Sequence, residues 1–165
     1  MEFDELIEPL LEREGGYSNR KADRGGPTNM GVTKRVFDEW LRSHAKPPRD
    51  VKTLTADEAR QIYLELYWKP AKCQDMPPVV REIHFDASIN HGVTRAAKLL
   101  QAAAGSTQDG AIGPATRKYV SAMEPMLLLY RYITMRYRFY GQIIARDESQ
   151  MANIDGWLRR MVHFG

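Results

Sequence analysis

A chain of 165 residues that is 43% hydrophobic is long enough to bury a core and too apolar for a disordered tail. Its net charge of +3 comes from acids and bases mixed along the chain, with no like-charge run of the kind that grips nucleic acid. The lone Cys73 excludes an internal disulfide, and Arg131, Arg136 and Arg138 break up the most apolar region, so no membrane insertion is expected.

In chain order, Phe3, Leu6, Ile7, Leu10 and Leu11 recur at three-and-four spacing and predict an amphipathic helix. Gly15 and Gly16 end it, which leaves Glu14 where a packed element gives way to a loop. The passage EGGYSNRKADRGGPTNMGVT, residues 14–33, then has no periodicity, and its glycine pairs and Pro27 predict tight turns. It holds two carboxylates, Glu14 and Asp23, among the hydrogen-bonding side chains of Tyr17, Thr28 and Asn29. Cleaving a glycosidic bond typically requires such a pair, one carboxyl to protonate the leaving oxygen and one to act on water or on the sugar. A Glu before Gly-Gly and an Asp in a turn are also ordinary surface residues.

Thr33 is placed to cap a helix that buries Val36, Phe37, Trp40 and Leu41, and residues 44–49, with Pro47-Pro48, form a loop. Thr55 to Glu58 has capping-box form, and the helix after it is expected to turn Ala59, Ile62, Tyr63 and Leu66 inward and stop before Pro70. Trp68, near its end, either stacks on a sugar or seals the edge of the core. Pro77-Pro78 opens a helix through Val79, Val80, Ile83, His84, Ala87 and Ile89, on which Asp86 and Asn90 share a face. Residues 94–104 read as an Ala/Leu helix, Asp109-Gly110 as a turn and Pro114 as the next helix start. Pro125 begins the longest helix, with Leu127, Leu128, Tyr130, Ile133, Tyr137 and Tyr140 as its apolar stripe, and Trp157, Leu158 and Met161 mark a last short one. His84 and His91 have no third ligand at metal spacing and there is no HExxH, so neither metal nor cofactor is expected.

EGGYSN followed by D-x-G-G-x-T-N-x-G-V-T resembles the signature of the glycoside hydrolase family 108 muramidases, which include phage endolysins and secretion activators. FDASINHG resembles a second segment of that family, and LLQAAAGSTQDGAIGPAT is similar to helical peptidoglycan-binding modules. The resemblance implies that Glu14 is the catalytic acid. It also implies an all-α, lysozyme-like fold with a glycine-rich active-site loop that has room for a small β-hairpin. Phage-type lysozymes are more loosely similar: Asp23 follows Glu14 with eight residues between, as their pattern asks, while Thr28 follows Asp23 with four rather than five.

The expected architecture is a catalytic part over 1–91 and a peptidoglycan-binding-like part over 92–165, packed as one compact body. The expected function is an N-acetylmuramidase that cleaves peptidoglycan glycan strands, with Glu14, Asp23 and Thr28 catalytic and Tyr17, Asn29, Trp68 and Asn90 binding substrate. A lytic transglycosylase, or a non-catalytic peptidoglycan-binding or secretion adaptor, is the alternative. MEFDELIEPLLER lacks the basic start and apolar block of a secretory signal, so the expectation is cytoplasmic synthesis and action at the cell wall after export or lysis.

Overall fold

A computed structural model describes residues 2–18 and 26–165, which form two compact units, Met1–Lys69 and Pro70–Gly165. Among the described residues there are eight α-helices and one two-stranded antiparallel sheet, an all-α lysozyme-like fold with a small hairpin.

In the first unit, α1 (Phe3–Glu14) buries Phe3, Leu6, Ile7, Leu10 and Leu11, and α2 (Lys34–Ser43) buries Phe37, Trp40 and Leu41. Each such side chain contributes about 1.5–3 kcal/mol when removed from water. Thr33 Oγ1 caps α2 by accepting from Val36 N at 3.3 Å. Thr55 and Glu58 exchange reciprocal bonds, both 3.3 Å, at the start of α3 (Ala56–Tyr63). Beyond α3 the chain widens into a π-turn over Leu64–Trp68, where Lys69 N bonds Leu64 O at 2.9 Å. That wider turn rotates the side chains after Tyr63 off the 3.6-residue period. Leu66, expected inward, is therefore 40% exposed, while Trp68 turns in to 4% and meets Phe3 edge-on at 5.4 Å.

The second unit is built on α4 (Pro78–His91), α5 (Val93–Ala104) and α7 (Pro125–Arg146), with α6 (Pro114–Ala122) and α8 (Ile154–Val162) beside them. Small residues on α5, among them Ala96, Ala97 and Ala103, let it approach its neighbours closely around Leu100, Ile83 and Leu128. Gln101 ties down the loop after α5. Its Nε2 lies 2.7 Å from Asp109 Oδ1 and 3.0 Å from Thr116 Oγ1, and its Oε1 accepts from Gly110 N at 2.9 Å. The Gln, Asp-Gly and Thr of that stretch are thus joined in one structural network.

The buried stripe of α7 is Leu128, Leu129, Tyr132, Ile133, Arg136 and Tyr140, whereas Leu127, Tyr130 and Tyr137 of the expected stripe are exposed. The displacement arises because Arg136, polar in any pattern, occupies the core. On α4, Val79 likewise faces outward while Val80, Ile83, His84 and Ala87 face inward.

His84 is fully buried, its Nε2 2.9 Å from Ala71 O and its Nδ1 2.8 Å from Tyr132 Oη. A neutral ring donates from Nε2 to that carbonyl. Tyr132 Oη also donates to Ala96 O at 3.0 Å. Burial lowers the His84 pKa from 6.5 to about 4. Between those values the unfolded chain binds more protons than the folded one, so this stability is complete above about pH 6.5 and drains away as pH falls toward 4. The whole window is worth on the order of 3 kcal/mol. Urea midpoints at pH 7 and 5 should differ accordingly, and a flat profile across that range would exclude a neutral buried His84.

Candidate active site

Glu14 is the last residue of α1, and Gly15 (φ +69°) comes next with its N–H on Leu11 O at 3.2 Å. That positive-φ step lets the chain leave the helix directly beneath the carboxylate. Gly16 and Tyr17 lead to Ser18, which forms a bridge with Thr28: Ser18 N donates to Thr28 O at 2.8 Å and Thr28 N to Ser18 O at 2.9 Å. Asn19 and Asp23 lie outside the described residues.

The chain then makes a hairpin, β1 (Thr28–Asn29) and β2 (Val32–Thr33), with Thr28 opposite Thr33 and Asn29 opposite Val32. Its turn is Met30 (φ +48°) and Gly31 (φ +74°), the paired left-handed conformation that a two-residue hairpin demands. The turn sits against Glu14. The point a Cβ on Gly31 would occupy lies within 3.2 Å of both Glu14 Oε2 and the Tyr63 hydroxyl. Tyr63, buried on α3, donates to Met30 O at 3.0 Å and so pins the turn beside the carboxylate.

Gly31 is thus required twice, for its backbone angle and for its missing side chain. Gly31→Ala is expected to cost about 1–3 kcal/mol and to cut wall lysis at least tenfold, because the new methyl displaces Tyr63, Glu14 or both. Adding Tyr63→Phe removes the clashing oxygen and should restore part of the lysis rate. Wild-type lysis by Gly31→Ala alone would contradict this packing.

Asn29 is buried, and its Nδ2 bonds Val51 O at 3.1 Å and Lys52 O at 3.3 Å. Its amide nitrogen fastens the hairpin to the 3-10 turn Val51–Thr53. Trp68, another expected substrate contact in this unit, is turned inward by the π-turn and packs edge-on against Phe3. Tyr17 remains 38% exposed, with Lys52 Nζ 4.6 Å from its ring centre. Asn90 belongs to the second unit, where its Nδ2 bonds Asp86 O at 2.8 Å and Asp86 Oδ1 at 3.2 Å.

The structure thus gathers Glu14, Tyr17 and Thr28 in one unit. It adds Gly31 and Tyr63, which the sequence does not single out; the available signal is a tyrosine where a core helix needs only a phenylalanine. Among the described residues no three His, Cys, Asp or Glu side chains stand together as a metal-holding group.

Residues 7–92 match the family model described as Glycosyl hydrolase 108, and residues 95–162 match that described as Predicted Peptidoglycan domain. Among solved structures the chain is similar to Brucella abortus SagA, with 29% identity and a TM-score of 0.85 over 98% of this chain and 90% of that one. No curated protein matches.

Proposed function

Because this chain belongs to the glycosyl hydrolase 108 family, we propose that Glu14 is the acid that protonates the bridging oxygen of a peptidoglycan glycan strand. With its peptidoglycan domain the protein is a peptidoglycan hydrolase of the N-acetylmuramidase type, and peptidoglycan is its partner. Its substrate lies in the cell wall, and no helix among the described residues is long and apolar enough to cross a membrane.

The observation that carries the catalytic assignment is the seat of Glu14: a carboxylate at a helix end, held over a hairpin turn that Tyr63 fixes from below. Tyr63 is a positioning residue in this scheme. Asp23 activates water or stabilises the oxocarbenium-like centre, and Thr28 helps hold that water. Tyr17 offers an exposed ring to a sugar face, and Asn90 is an exposed amide residue in the second unit. The catalytic part extends to about His91, a boundary supported by the reach of the matched family segment to residue 92.

Digestion of purified cell walls followed by mass spectrometry tests the reaction. Hydrolysis leaves reducing N-acetylmuramic acid ends, and anhydro ends would reassign the protein as a transglycosylase. Walls that bind the protein and stay intact would reduce it to a binding module. Asp23→Asn should lower the rate at least a hundredfold under the proposed scheme, and near-wild-type activity would remove Asp23 from it.

A further inference from the structure

In the second unit a groove of about 230 Å³ runs between α5 and α7. Arg95, Lys98, Leu99 and Ala102 of α5 line one wall, spaced 0, 3, 4 and 7 along the helix. Met135, Arg138, Phe139 and Gln142 of α7 line the other with the same spacing. Each helix thus presents one continuous face, apolar at the floor through Leu99, Met135 and Phe139 and cationic at the rim.

Some cations of this unit have acidic partners. Arg117 is paired with Asp75, Arg160 with Asp86 and Arg159 with Asp155. Arg95, Lys98 and Arg138 have no ion pair among the described residues, and no carboxylate lines the groove. Asp109 is near enough for Lys98 to add to the hydrogen bonds from Ala111 and Gln101 that lower its pKa, but those two groups already engage its carboxylate. The unit as a whole concentrates positive charge: residues 70–165 hold 12 Lys and Arg against 8 Asp and Glu, a net of +4, while residues 1–69 carry a net of −1. Arg95 also lies over the Phe139 ring, 4.8 Å from its centre, which takes that face away from a sugar.

We propose that this groove binds the acidic peptide stems of peptidoglycan, with Arg95, Lys98 and Arg138 pairing with their carboxylates. The proposal rests on peptidoglycan as the ligand and names the part of it that this unit holds. Stem peptides combine free carboxylates with alanine methyls, which matches a cationic rim over an apolar floor. Neutral glycan supplies no anion for three unpaired cations. The volume is below the roughly 300–1,000 Å³ of a drug-sized ligand site, which suits a short peptide end rather than a polymer lying lengthwise. Gathering like charges without counter-ions opposes folding, so neutralising them should not lower stability.

Calorimetric titration of the full chain with a synthetic stem peptide, L-alanyl-γ-D-glutamyl-diaminopimelyl-D-alanine, tests this. Arg95→Gln/Arg138→Gln should bind at least tenfold more weakly than wild type, with a denaturation midpoint equal to or above the wild-type one. The same peptide with its carboxyls amidated should bind both proteins as weakly. Equal binding by wild type and double variant, no binding by wild type at millimolar peptide, or equally tight binding of inorganic polyphosphate by wild type would each overturn the proposal. The peptide contains no glycosidic bond, so this result stands apart from the release of reducing ends from whole walls, which judges the catalytic assignment.

Discussion

Glu14→Gln is expected to fold as the wild type does, sediment with purified walls as the wild type does, and release reducing ends at least a hundredfold more slowly. The amide has the same shape as the carboxyl, so the space beside Gly31 accepts it without rearrangement. Glu14 is exposed, and an exposed isosteric change costs within about 0.5 kcal/mol. What the amide lacks is a proton it can pass to the leaving oxygen, and general acid catalysis is worth roughly 10²–10⁴ in rate. Because the side chain is open to water in the free protein, a bound saccharide must supply the dry surroundings in which the transfer occurs. Three readouts on one preparation check this: the denaturation midpoint, the pelleted fraction and the reducing ends formed. More than a tenth of wild-type turnover in a folded variant would remove Glu14 from the acid's role.

The helices of this protein are legible in its sequence because their information is local. The stripe from Phe3 to Leu11, the Thr33 cap, the Thr55–Glu58 box and the prolines that open α4, α6 and α7 each act within one or two turns. Other features are hidden because they are non-local or break the period. A π-turn after Tyr63 shifts every later residue of that segment, exchanging Leu66 for Trp68 in the core. Arg136 counts as polar in any pattern, so periodicity sets the stripe of α7 one step away from where it lies. Asn29 has the composition of a site residue, yet Val51 and Lys52, more than 20 positions on, take its amide protons. At the candidate site, Glu14 is legible from Gly-Gly and the family motif, while Tyr63 reaches Met30 from 33 residues away. A hydroxyl partner at that separation leaves no trace in periodicity.

Asp86→Ala should destabilise the second unit by about 3–5 kcal/mol, the loss expected when a buried charge keeps its burial and loses its partner. Asp86 joins two arginines: its Oδ2 is 2.7 Å from Arg136 Nη1 and its Oδ1 2.9 Å from Arg160 Nη1. Arg136 is 0% exposed, and its Nε and Nη1 have no partner in hydrogen-bonding geometry, so the 2.7 Å contact is a close charge pair rather than an aligned bond. Its remaining support is Tyr140 Oη, 3.0 Å from Nη2, and His91 Nε2 at 3.4 Å. His91 adds no competing positive charge, because burial and the nearby Arg136 lower its pKa from 6.5 to about 4 and leave the ring neutral at pH 7. Without Asp86 the guanidinium is therefore an uncompensated cation in the core. Arg160→Ala removes only the partly exposed partner and should cost less than about 1 kcal/mol. Arg136→Met added to Asp86→Ala should recover most of the loss, since a thioether fills the space and carries no charge to desolvate. Urea denaturation of the four proteins decides it: equal losses for Asp86→Ala and Arg160→Ala, or no recovery in the double variant, would show that Asp86 is not the counter-ion on which α4 and α7 depend.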